Sequence, residues 1–121
     1  MLLAEIASSP PRADPRNDDN NIMFNKYYYV YIMTNKVNTV FYIGVTNNLK
    51  RRVWEHKSKY NSKAFTTKYN VSKLVHYEVY ESPREAIGRE KQLKGGSRKR
   101  KVDLIKKDNR DFNDISKDWF S

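Results

Sequence analysis

Two tyrosines, Tyr31 and Tyr42, stand with ten residues between them, the second opens Tyr42-Ile43-Gly44, and Arg52 and His56 follow ten and fourteen residues further on. A strand core has use for tyrosine rings but none for a guanidinium and an imidazole four residues apart, a spacing that puts both on one side of a helix. Together these groups suit chemistry on a phosphate. Arginine is permanently charged and forked, so it can hold two non-bridging oxygens as charge builds on them. A histidine with a pKa near 6.5 is mostly neutral at pH 7 and ready to accept a proton, whereas a phenol near 10 is ionised in roughly one molecule in a thousand. On that arithmetic His56 is the simpler base. The positive charge of nearby Arg52 would lower a tyrosine's pKa, so a tyrosine also stays in play. A fifth group lies downstream: Glu90 falls among Ala86, Ile87 and Leu93 on the apolar side of a helix. A buried, unpaired carboxylate costs several kcal/mol, so a cation is expected beside it.

The elements that would position these groups are legible. Lys26 to Met33 and Thr39 to Val45 are aromatic and β-branched, with turn composition from Asn35 to Asn38; they form a β-hairpin. On a period of two, Tyr29, Tyr31 and Met33 share one face, as do Tyr42 and Gly44, so the two tyrosines can meet. Asn47 or Asn48 caps a helix to about Tyr60 in which Leu49, Arg52, Val53, His56 and Tyr60 follow helical spacing, while Arg51 reads as a solvated partner of Glu55. Residues 61 to 70 read as a loop. Lys73 to Glu81 alternates as a third strand, with Val75, Tyr77 and Val79 on one face. Ser82-Pro83-Arg84-Glu85 starts a helix that runs to Lys94 and stops at Gly95.

Ser97 opens another helix, through Lys107, whose first turn is Arg98-Lys99-Arg100-Lys101. Cations there oppose the macrodipole by roughly 0.3–1 kcal/mol each where exposed, and the placement becomes favourable when an anion docks. Arg98, Lys99 and Lys101 are therefore the expected nucleic-acid contacts. The tail ends in Trp119-Phe120, which folds back over the core. His76, Tyr27, Tyr28, Tyr77 and Tyr80 read as structural, and there is no internal repeat.

At 121 residues the chain holds one domain and one core. Its formal charge is +10. Residues 1–22, with Pro10, Pro11, Pro15 and the run Asn17 to Asn21, read as a disordered leader. Residues 23–121 carry 22 basic and 10 acidic groups, a formal +12. Such a charge attracts polyanions, nucleic acid first among them. An anionic membrane is disfavoured because no amphipathic helix pairs a basic face with a broad apolar one. The absence of cysteine excludes disulfides, thiolate metal sites and a cysteine nucleophile, and fits a cytoplasmic location. No stretch approaches the roughly 18 apolar residues of a spanning helix.

With Tyr29-Val30-Tyr31, Tyr42-Ile43-Gly44, Asn48-Leu49-Lys50-Arg51-Arg52, Glu55-His56, Arg84-Glu85-Ala86 and Arg89-Glu90-Lys91-Gln92-Leu93-Lys94-Gly95 in this order, the chain resembles the GIY-YIG nuclease superfamily, in its small stand-alone bacterial type, over roughly Tyr27 to Trp119. The resemblance implies an α/β fold with a three-stranded antiparallel sheet flanked by helices. It also implies hydrolysis of DNA phosphodiesters with one divalent metal, normally magnesium. Position by position it makes Tyr31 and Tyr42 the motif tyrosines, Arg52 the catalytic arginine, His56 the helix position held by tyrosine or histidine, and Glu90 the metal ligand. The family mechanism usually favours a motif tyrosine as base, which leaves His56 and a tyrosine at even weight. Three departures stand out. Tyr29 replaces the first motif glycine, Gly96 stands where relatives tend to have tryptophan, and the asparagine of DNA-repair relatives has no match, since Asn109 lies too far along.

The expected protein is thus a metal-dependent endonuclease of weak sequence specificity, because one small domain contacts mostly backbone phosphates. It would take DNA, branched or damaged DNA included, and leaves room for a protein partner that supplies specificity. The main rival is a nucleic-acid-binding module with the same fold and no turnover; a basic RNA-associated or assembly protein is a more distant third.

Overall fold

The computed structural model describes residues 27–59 and 65–120. The expected leader, Tyr60 and the first part of the expected loop lie outside them, and the helix that Asn48 caps ends at Lys57, short of the expected end near Tyr60. Three strands, β1 (Tyr28–Thr34), β2 (Phe41–Thr46) and β3 (Lys73–Tyr80), form one sheet in the order β2-β1-β3, all antiparallel. Four helices accompany it: α1 (Leu49–Lys57), α2 (Phe65–Lys68), α3 (Pro83–Gly95) and α4 (Arg98–Asp108). This is the expected three-stranded antiparallel sheet with flanking helices. Among the described residues no helix is long and apolar enough to cross a membrane.

The hairpin closes through Asn35, whose side-chain oxygen accepts from the amides of Thr39 and Val40 at 2.8 and 3.2 Å. Asn38 takes the left-handed conformation that asparagine tolerates (φ 60°). Tyr31 then pairs with Gly44 and Met33 with Tyr42, so the two motif tyrosines share a face.

That face packs on Leu49 and Val53 of α1, on Val71 and Leu74, and on the tail residues Trp119 and Phe120. The tail folds back as expected, held by Asp114, which accepts from the amide of Leu74 (3.1 Å) and pairs with Lys57 of α1. The other face of the sheet presents Val30, Ile32, Ile43 and Val45 to Ala86 and Leu93 of α3 and Ile105 of α4. The sheet is therefore the middle of three layers, with α1 and the tail on the tyrosine face and α3 and α4 on the other.

The helix starts follow the local signals. Asn48 accepts from Arg51 N, Ser82 from Glu85 N with Pro83 in the first turn, and Ser97 from Arg100 N. Three further expectations are corrected. Residues 65–68 of the expected loop form the short helix α2. The C-cap of α3 is Gly96 rather than Gly95, and its φ of −81° needs no glycine.

The third correction concerns β3, which carries an irregularity opposite Ile32 and Met33. The extra residue puts Val75 in the α3-side core, while Tyr77 and Val79 stay exposed on the tyrosine side. The three do not share one face.

Candidate active site

The site grows out of the close approach of β1 to β2. Tyr31 is fully buried, and a Cβ placed on Gly44 would lie 2.5 Å from its hydroxyl oxygen and 2.6 Å from Cζ. A glycine is needed there because the phenol lies across the backbone of β2. That position points the Tyr31 hydroxyl at His56, whose Nε2 is 3.1 Å away. The other ring nitrogen, Nδ1, is 2.8 Å from the hydroxyl of Thr66 on α2.

His56 is thus engaged at both nitrogens and buried. Burial, reinforced by the positive charge of Arg52, lowers its pKa to about 3. Tyr42, partly exposed, sets its ring against the edge of His56 at 5.2 Å and 62°, and lies 6.1 Å from the ring of Tyr31. Phe65 of α2 flanks Tyr42 at 6.1 Å and lies in turn against Tyr69 at 4.7 Å, the rings tilted by 44°.

Arg52 projects from the same helix one turn before His56. Its Nη1 is 2.6 Å from Oε1 of Glu55, whose second oxygen lies 3.6 Å from Nε of Arg51. Arg51 is 3% exposed, so it is an inner member of a buried Arg-Glu-Arg group rather than a solvated partner. The carboxylate spans both cations and restrains the rotamers of the arginine that would meet phosphate.

Glu90 comes from α3, between Ala86 and Leu93, and is fully buried. Its Oε2 is 3.0 Å from Nζ of Lys94, so the expected cation is a neighbour one turn along the same helix. Neither Oε1 nor Oε2 has a partner of hydrogen-bond geometry among the described residues, so Lys94 offers charge proximity alone. Burial raises the Glu90 pKa, and Lys94 offsets part of that rise. A carboxylate oxygen is the ligand type that a hard divalent cation takes, and because Glu90 is fully enclosed the surrounding side chains would have to part to admit a hydrated one. Among the described residues no cluster of three or more histidine or acidic side chains supplies a fuller ligand set.

The structure thus brings Tyr31, Tyr42, Arg52 and His56 together on one face of the sheet. It sets Glu90 on the helix that covers the other face, across β1 and β2. No hydrogen bond or ion pair among the described residues joins Glu90 to those four.

Arg98, Lys99 and Lys101 of α4 have intramolecular work. Arg98 donates to the carbonyls of Asn38 and Thr39 at 2.8 and 3.2 Å and lies 4.7 Å over the ring of Phe41, which fastens α4 to the hairpin turn. Lys99 pairs with Asp103 at 2.8 Å and is largely exposed, and Lys101 donates to the Gly96 carbonyl at 2.7 Å. His76 is structural, as read from the sequence. It joins Arg89 and Tyr80 on Glu78, at 2.8, 2.8 and 2.7 Å. Burial would raise the Glu78 pKa, but those three bonds hold it well below the usual carboxylate range.

Sequence reasoning missed Thr66 and the part Glu55 plays toward Arg52. For Glu55 the i+3 spacing to Arg52 was a usable signal. For Thr66, inside an expected loop, there was none.

The sequence model of the GIY-YIG catalytic domain matches residues 27–103. The chain is 39% identical over 77 residues to the UPF0213 protein CPE1444 of Clostridium perfringens, covering 64% of this chain and 81% of that one. It is 42% identical over 79 residues to a UPF0213 protein of Syntrophus aciditrophicus, covering 64% and 88%. The solution NMR structure of the UPF0213 protein BH0048 from Bacillus halodurans is 27% identical, covers 75% of this chain and 95% of its own, and superposes with a TM-score of 0.48.

Proposed function

The chain belongs to the GIY-YIG catalytic domain family, and from that premise we propose that it is a metal-dependent endonuclease that hydrolyses DNA phosphodiester bonds with weak sequence preference. The observation that carries the reading is the hydrogen bond between buried Tyr31 and His56, with Tyr42 and Arg52 on the same side of the sheet. A core could fill that space with apolar groups at lower cost.

In this reading Arg52, aimed by Glu55, holds the non-bridging oxygens of the scissile phosphate. The proton acceptor is a tyrosine rather than the histidine. Both nitrogens of His56 are taken and its basicity is low, whereas Tyr42 is partly exposed and Tyr31 is fully enclosed. Tyr42 therefore faces the attacking water, with Arg52 favouring its ionised form. Glu90 would hold the divalent metal, most suitably magnesium, which supplies charge stabilisation on the phosphate when bound. Lys99 and Lys101 lie on the basic helix that would follow the DNA backbone, and DNA in the cytoplasm is the substrate that this charge suits.

The second reading, a nucleic-acid-binding module without turnover, draws its support from the placement of Glu90 on the helix over the opposite face. The deciding experiment is magnesium-dependent cleavage of supercoiled and branched DNA by wild type, Arg52→Ala and Glu90→Ala. Cleavage by wild type that both variants lose supports the nuclease. Salt-sensitive binding with no cleavage by any of the three supports the binding module.

A further inference from the structure

We propose that Thr66 is a positioning residue of the active site, whose hydroxyl sets the tautomer of His56 and, through it, the direction of the Tyr31 hydroxyl proton. The inference rests on the reading of Tyr31, Tyr42, Arg52 and His56 as that site.

Thr66 is 2% exposed and its Oγ1 is 2.8 Å from Nδ1 of His56, while Nε2 is 3.1 Å from the Tyr31 oxygen. A neutral imidazole donates at one nitrogen and accepts at the other, so the chain of three groups has two arrangements. Either Nδ1–H donates to Thr66 and Tyr31 donates to Nε2, or Thr66 donates to Nδ1 and Nε2–H donates to Tyr31. A phenol is the stronger hydrogen-bond donor and an alkyl hydroxyl the stronger acceptor. The first arrangement matches each donor to its better acceptor.

The groups that face the ring are Tyr31 from β1, Tyr42 from β2, Arg52 from α1 and Thr66 from α2. None of them is an acid that would favour imidazolium, so the ring stays neutral and the tautomer is the variable that matters. With Nδ1–H on Thr66, the Tyr31 proton is turned inward onto Nε2 and is withheld from the substrate. Tyr42 is then the phenol that meets water. Thr66 can enforce this because α2 is itself held, by Phe65 against Tyr42 and by the Val71 amide on the Thr66 carbonyl at 2.8 Å.

The test is nitrogen-15 NMR of histidine-labelled protein, in which neutral Nδ1–H and Nε2–H rings give different shift patterns. The chain has two histidines, and His76, bonded to Glu78 through Nε2, gives the contrasting signal. Wild type is expected to show His56 as Nδ1–H. Thr66→Val, of similar shape without the hydroxyl, is expected to show Nε2–H and a roughly tenfold fall in kcat at unchanged KM, as loss of an outer partner of a functional histidine does. Thr66→Ser should keep both wild-type properties.

An Nε2–H pattern in wild type, or an unchanged tautomer in Thr66→Val, overturns the proposal. If Thr66→Val does not fold, the wild-type and Thr66→Ser spectra still decide. A wild type that cleaves no DNA removes the nuclease reading, and the spectra answer the tautomer question independently of that result.

Discussion

Replacing Gly44 with alanine tests the close packing on which the candidate site depends. The new Cβ would stand 2.5 Å from the Tyr31 oxygen, 2.6 Å from Cζ and 3.0 Å from Cε1. Relief to ordinary carbon contact needs a shift of about 1 Å. The far end of a tyrosine would yield cheaply on a surface, but this ring is fully buried and its hydroxyl is tied to His56. Overpacking of this kind costs roughly 1–3 kcal/mol, and losing the phenol–imidazole bond adds about 1 kcal/mol. The entropy that alanine removes from the unfolded chain returns about 0.4–1 kcal/mol.

The net expectation is a loss of roughly 2–3 kcal/mol, a fall in Tm of about 10–20 °C for a domain of this size. Gly88 supplies the control, since it lies inside α3 and a Cβ added to it would have no neighbour within 4 Å. Gly88→Ala should stabilise by about 0.5–1 kcal/mol. Urea unfolding followed by circular dichroism measures both. Tyr31→Phe in the Gly44→Ala background should recover little, because Cζ remains at 2.6 Å. Equal stability of Gly44→Ala and Gly88→Ala would refute the reasoning, since it would mean that the ring gives way without cost.

Other outcomes follow from the site. His56 titrates near 3 in the folded chain against about 6.5 unfolded, so below pH 6.5 the unfolded state binds the extra proton and stability falls with pH. The loss attributable to this group is about 2 kcal/mol between pH 7 and pH 5, and His56→Gln should remove about one proton from the slope of urea-derived stability against pH in that window. Glu90 has a raised pKa, so it favours the folded state when protonated and its ionised form strains the fold at pH 7. Glu90→Gln should therefore melt no lower than wild type while losing magnesium-dependent cleavage, and a large drop in Tm would mark the carboxylate as structural. Arg98→Ala should cost about 1 kcal/mol through the lost hairpin clamp, measured by thermal melting without DNA. Lys99→Ala should leave Tm unchanged and reduce the salt slope of DNA binding by about 0.9; an unchanged slope would take Lys99 off the interface.

Most of the architecture was legible because its signals are local. Aromatic and β-branched runs made the strands, and Asn48, Ser82 and Ser97 each announced a helix start by a side chain that reaches only a few residues along the chain. Tyr31, Tyr42, Arg52 and His56 were legible as a group because two periods, two in the hairpin and 3.6 in α1, bring them to one side.

What escaped depends on partners distant in sequence. The spacing of Arg51 to Glu55 reads the same whether the pair is solvated or enclosed. The two threonines of α2 carry no apolar period. Nothing in Ser97-Arg98-Lys99 says that the arginine will find carbonyls some sixty residues upstream. The layer on which Glu90 sits is likewise set by how α3 crosses the sheet rather than by its own spacing.

The irregularity in β3 reaches beyond its own strand. Because one added residue falls between Leu74 and His76, a single strand serves both layers: Leu74 turns to the tyrosine side, and Val75 with the Glu78 anchor turns to α3. The position works like a half-step in a staircase, which lets Val75 join His76 on one side before the alternation resumes. Removing Val75 would straighten the ladder, with Leu74 still opposite Met33 and His76 still opposite Ile32, so that Glu78 keeps Arg89 and Tyr80; the cost would be the hole left in the α3-side core.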